Sequence, residues 1–148
     1  MNRLISTFLT FAALLLLAIG GTILLAPHTF YGSDGIMLGN DPSLLSEIRA
    51  PGGLLAASAL IILTGVFRHN LRSIALMLTV LVYGSFGLSR LVSLSLDGVP
   101  SSSLLIATVI ELVAAAIGLG ILWCLPSVGG DNSHPNGGLG TATRPWMQ

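Results

Sequence analysis

Charge is scarce in this chain. Only 8% of its residues are charged, whereas a soluble domain carries about 25%, and so few ions cannot clothe a water-facing surface. Lysine is absent, and arginine supplies all six basic residues. Schiff-base chemistry, which requires a lysine amine, is thereby excluded. Net charge is zero and no basic run occurs, so the electrostatic footprint of a nucleic-acid binder is missing. A single cysteine, Cys124, rules out an internal disulfide and a thiolate metal cluster. The histidines, His28, His69 and His134, fall in three separate segments, so no two are placed to ligate one metal. Ser101-Ser102-Ser103 has no histidine base nearby, so no serine nucleophile is indicated.

What the chain has instead is apolar length. Hydrophobic residues make up 53% and mean hydropathy is +0.89, which makes lipid the solvent. Four uncharged or nearly uncharged runs, about 4–26, 47–67, 73–96 and 104–125, are each long enough as a helix to cross a hydrocarbon core of about 30 Å. The first run exceeds the roughly 7–15 residues of a signal-peptide core and is expected to remain as a helix, with cleavage near Ala26 as the rival. The fold class is therefore all-α, a polytopic membrane protein built as a bundle of four transmembrane helices. Residues 27–45 read as a loop with turns at Gly32-Ser33-Asp34-Gly35 and Leu38-Gly39-Asn40. Within it Asp41-Pro42 has the form of an N-cap followed by proline at the first helical position. Asp97-Gly98-Val99-Pro100 reads as a turn, and Ser101-Ser102-Ser103 as helix-start candidates. Residues 126–148, rich in Gly, Asn, Ser and Pro, are expected to be a disordered tail.

Arginine placement sets the expected orientation. Arg3, Arg68, Arg72 and Arg144 fall on one side of a four-span topology; Asp34, Asp41 and Asp97 fall on the other. Both termini are expected in the cytoplasm of a cell bounded by an inner membrane.

Ionisable groups inside spans carry the functional expectation. A charge at mid-membrane costs roughly 2.5–3.5 kcal/mol on the insertion scale, so such groups pair or serve a site. Counting 1.5 Å per residue, Arg90 on the third span and Glu111 on the fourth lie at similar depth and are predicted to form an ion pair. Ala107, Glu111, Ala114, Ala115 and Gly118 recur at helical spacing as a small-residue stripe. Tyr83, Gly87, Arg90 and Asp97 share a face of the third span, and Arg49, Gly53, Ala56 and Ala57 one of the second. Glu47, Arg49, Tyr83, Arg90, Asp97 and Glu111 are accordingly expected to converge as one charge cluster, either a structural lock or a ligand site. Pro51 leaves the Glu47 carbonyl without its helical donor, and Gly52-Gly53 is expected to let the third and fourth spans approach.

Four elements together resemble a known family: Phe30-Tyr31-Gly32; Glu47-Ile48-Arg49-Ala50-Pro51-Gly52-Gly53; Arg90 through Asp97-Gly98-Val99-Pro100; and Glu111-Leu112. They are similar to the bacterial family called domain of unknown function 4345, related to the DoxX-like four-span membrane proteins. The likeness spans roughly residues 1–125. It implies the four-span count and brings no activity. Some DoxX-like relatives are linked to quinone-dependent thiol or sulfur oxidation, which needs redox cysteines or a cofactor motif absent from this chain.

Three functional expectations follow. One is a binding or accessory module in which Arg49 and Arg90 contact an anionic, lipid or quinone-like head group. Another is a subunit of a quinone-linked membrane oxidoreductase. The remaining one is a small proton-coupled transporter using Glu111. Quinone is the only cofactor class this leaves open, with no metal. The expected partners are the bilayer, a second copy or another membrane protein.

Overall fold

The computed structural model describes residues 2–125; the tail expectation, with His134, Arg144 and Trp146, lies outside them. Four long helices, α1 (Asn2–Leu25), α3 (Pro42–Phe67), α4 (Arg72–Leu96) and α5 (Ser102–Cys124), account for most of the described chain. Each is long and apolar enough to cross a membrane, and no strand occurs among the described residues. Large apolar side chains such as Phe11, Leu54, Leu60, Leu81, Leu88 and Ile106 point outward. Such a surface suits lipid and not water. The protein is an all-α four-helix membrane bundle.

Local chemistry sets the boundaries. Asp41 caps α3: its Oδ1 accepts from the Leu44 amide at 2.9 Å, and Pro42 takes the first helical position, where its missing donor costs nothing. Gly98, at φ +96°, turns the chain after α4, a conformation that L side chains rarely adopt. The connection read as a plain loop contains a short helix, α2 (Pro27–Gly32). Pro27 is already fixed near the helical φ, and Phe30 and Tyr31 stack edge to face with ring centres 5.4 Å apart.

Packing follows chain order. α1 packs on α3, α3 also on α4, and α4 on α5, with α1–α3 and α4–α5 the larger interfaces, whereas α1 and α5 share almost no direct packing. The bundle is thus an open ring with its seam between the first and last spans. One end carries the α1–α3 connection and the Gly98 turn, termed the loop end. The other carries Arg3, Arg68 and Arg72, termed the arginine end. The core is the stripe Leu9, Ala13, Leu16 and Ile23 of α1 against Leu55, Ala59 and Ile62 of α3 and Ala75, Leu76 and Tyr83 of α4.

Two kinds of close approach hold the ring. At Gly20 of α1, an added Cβ would lie 2.7 Å from Ala56 N and 2.7 Å from Gly52 O of α3. At Gly87 of α4, it would lie 2.8 Å from Leu112 Cδ2 of α5. The glycine pair at 52–53 therefore serves a different interface from the one expected. Gly52 is buried against Ile23 and Leu24 of α1, and Gly53 meets little.

Candidate ligand-binding cavity

The seam widens at the loop end into a cavity of about 470 Å³, within the roughly 300–1,000 Å³ range of small-molecule sites. Each helix offers one face to it. From α1 come Leu15, Leu16, Ile19 and Ile23, from α4 Val82, Tyr83, Phe86 and Arg90, and from α5 Ser103, Leu104, Ala107, Ile110 and Glu111. Along each helix the lining positions recur at steps of three or four, with an adjacent pair widening the face. Pro51 and Leu55 of α3 complete the wall, and Phe30, Tyr31 and Asp34 close the loop end. The cavity is largely apolar, interrupted by two polar centres.

The deeper centre is the expected ion pair. Arg90 Nε donates to Glu111 Oε2 at 3.0 Å and to Oε1 at 3.2 Å. The side chains are 32% and 12% exposed. The guanidinium engages the carboxylate through Nε alone, and neither Nη nitrogen donates to any described residue. Both Nη groups are therefore available on a residue that lines the cavity, with their charge already balanced by Glu111.

The second centre lies about two turns nearer the loop end, or about 12 Å along α5 at 1.5 Å per residue. Here the expected caps behave differently. Ser101 sits at the cap position of α5 but makes no cap bond. Its hydroxyl donates to Asp34 Oδ1 at 3.3 Å, and the Ser103 hydroxyl donates to the same oxygen. The carboxylate thus ties the α1–α3 connection to the start of α5 across the mouth of the cavity. No described arginine pairs with it.

The wider cluster does not form. Glu47 and Arg49 are exposed and line no part of the cavity. The reason is helical phase. The buried positions Gly52, Leu55, Ala59 and Ile62 extend back to Ile48, and residues one step to either side are rotated about 100° away. Asp97 is exposed and accepts from Ser93 Oγ at 2.8 Å on its own helix. Tyr83 lines the cavity, but its hydroxyl donates to the Ala12 carbonyl of α1 at 2.8 Å, so the phenol braces two helices instead of joining the ion pair. The stripe on α5 divides by depth. Ala107 and Glu111 face the cavity, while Ala115 and Gly118 lie against Gly84 and Val80 of α4. Cys124 is exposed.

Asp34 and Ser103 are the site residues that sequence reasoning missed. Their only signals are an acid in a loop without a basic neighbour and a serine triplet opposite it. Arg72, counted in the sequence among the arginines that set the orientation, is buried.

The family model described as Domain of unknown function (DUF4345) matches residues 4–124. The chain belongs to that family. No curated protein and no solved structure matches it. The matched segment takes in all four spans, the cavity and both polar centres, and assigns them no activity.

Proposed function

We propose that this member of the DUF4345 family is a small membrane binding protein that takes up an amphiphile with a neutral, carbonyl-bearing head, a quinone-like ring being the class that fits. The observation that carries this reading is the set of unengaged Arg90 Nη donors in an otherwise apolar cavity. Donors in a lipid-facing cleft have no bulk water to satisfy them, so they favour an occupant that supplies acceptor oxygens. A free anion fits less well than expected from sequence. Glu111 already balances Arg90, and Asp34 adds a negative charge at the mouth. Arg49, outside the cavity, takes no part.

The positive-inside rule assigns the arginine end to the cytoplasm, so the cavity opens toward the outer leaflet of the cell membrane and both termini are cytoplasmic. A periplasm-only reporter fused to the C-terminus should be silent, and activity there would reverse the orientation.

The same cavity would serve the subunit of a quinone-linked oxidoreductase. With Cys124 as the sole cysteine, electrons would have to come from a partner protein, so copurification of a redox enzyme separates that reading from simple binding.

The direct test is mass spectrometry of molecules retained on gently purified protein, followed by titration with a decyl-substituted benzoquinone. Arg90→Gln should weaken binding about tenfold or more, the loss of a charge-assisted hydrogen bond. Ala107→Phe, which fills the cavity and keeps the ion pair, should abolish it. Equal binding by both variants and the unmodified protein would show that the cavity is not the site.

A further inference from the structure

At the arginine end a second guanidinium is treated quite differently from Arg90. Arg72, the first residue of α4, is only 9% exposed. Its Nη2 donates to the hydroxyl of Ser6 on α1 at 2.8 Å. Its Nε is buried with no partner, and no carboxylate pairs with it among the described residues. The remaining nitrogen, Nη1, makes no hydrogen bond and is not among the buried unpartnered atoms, so it is the edge that reaches the surface. Gly65 of α3 lies against the Leu71 carbonyl and the Arg72 backbone, so the start of α4 packs closely on α3.

The surroundings deepen the imbalance. Arg3 lies three residues before Ser6, on the same face of α1, and Arg68 lies four residues before Arg72; both are exposed. The described acids sit elsewhere: Asp34, Asp41, Glu47 and Asp97 at the loop end, and Glu111 within α5. A largely buried cation with one neutral partner is poorly compensated. Among the described residues this end of the bundle carries three arginines, one of them bonded to Ser6, and no acid.

We infer that Arg72, Ser6 and Arg3 form a binding site for a phosphate ester anion at the arginine end, of the kind carried by an acidic membrane lipid. Guanidinium donors match phosphate oxygens in geometry and charge, and the Ser6 hydroxyl, which accepts from Arg72, retains its own proton to donate. The site is separate from the cavity at the loop end and does not depend on what the cavity binds. Its ligand fills the charge deficit that the fold leaves open. Acidic lipid is the source at hand, since the three arginines occupy the end of the bundle where lipid head groups lie.

The test uses full-length protein in a neutral maltoside detergent. Dioleoylphosphatidylglycerol, dioleoylphosphatidylcholine and inorganic phosphate are titrated separately while the thermal unfolding midpoint is followed. Phosphatidylglycerol should act at a concentration at least about tenfold lower than phosphatidylcholine, a difference of about 1.4 kcal/mol. A midpoint raised as far by inorganic phosphate would keep the site and assign it to the free ion. Arg72→Gln should bring the lipid ratio close to one. Because that variant can also fail to fold, Ser6→Asp is the companion. It gives Arg72 an internal carboxylate, so it should raise the midpoint without lipid and remove the preference. Arg49→Gln, an arginine at the other end, should retain it. Equal action of the two lipids on unmodified protein, or a preference that survives both Arg72→Gln and Ser6→Asp, would overturn the inference.

Discussion

The α1–α3 and α4–α5 interfaces both depend on glycine, yet they differ in what the glycine meets. Gly20 of α1 faces backbone, the amide of Ala56 and the carbonyl of Gly52, and backbone in a helix cannot step aside. Gly87 of α4 faces chiefly the Leu112 side chain, which has other rotamers, with the Leu112 amide farther off at 3.3 Å from an added Cβ. The first interface is therefore a fixed fit and the second an adjustable one. It is the adjustable pair that carries the ion pair and most of the polar cavity wall. Rigidity on one side of the seam is set against tolerance on the other.

Substitutions can break this contrast, beginning with the most damaging. Gly20→Ala should cost about 2–3 kcal/mol, the upper range for overpacking a tight contact, and appear as a large drop in the unfolding midpoint of detergent-solubilised protein. Glu111→Leu should cost about 2 kcal/mol, somewhat below the figure for a fully buried pair because Arg90 is about one-third exposed. Combining it with Arg90→Leu should restore most of the loss. If the double variant is only the sum of the two singles, the ion pair contributes no coupling. Gly87→Ala should cost no more than about 1 kcal/mol, because Leu112 can rotate. A loss as large as that of Gly20→Ala would erase the distinction between the interfaces. Gly21→Ala, next to Gly20 but with nothing within 4 Å of an added Cβ, should be neutral or stabilise by up to about 1 kcal/mol through helix propensity.

The long apolar runs made the four helices legible, because spanning lipid imposes a length and composition that few other structures share. The Arg90–Glu111 pair could be read from depth alone, since two charges on neighbouring antiparallel helices at one level have strong reason to meet. Glu47 and Arg49 are near the mouth in sequence, but their angle on α3 turns them away from it. The adjacent apolar residues Leu45 and Ile48, which do point inward, contained the correction. Gly52 announced a close approach but not its partner: a small side chain says that a neighbour comes near and is silent on which one. Asp34 was hidden for a different reason. Its role arises only when the α1–α3 connection folds back to the start of α5, a relation between residues 67 or more positions apart that no local pattern encodes.

The open ring has a consequence for how the molecule is made. Each span after the first packs against the one synthesised immediately before it, so α3 finds α1 already in place, α4 finds α3, and α5 finds α4. After α1, no helix enters the bilayer without a packing neighbour already there, although α4 gains its larger interface only when α5 arrives, and contacts between neighbours in sequence keep the entropy of loop closure small. The one closure that would join the last helix to the first is the one the protein leaves out. The cleft is thus the natural remainder of building a bundle in the order of its own translation.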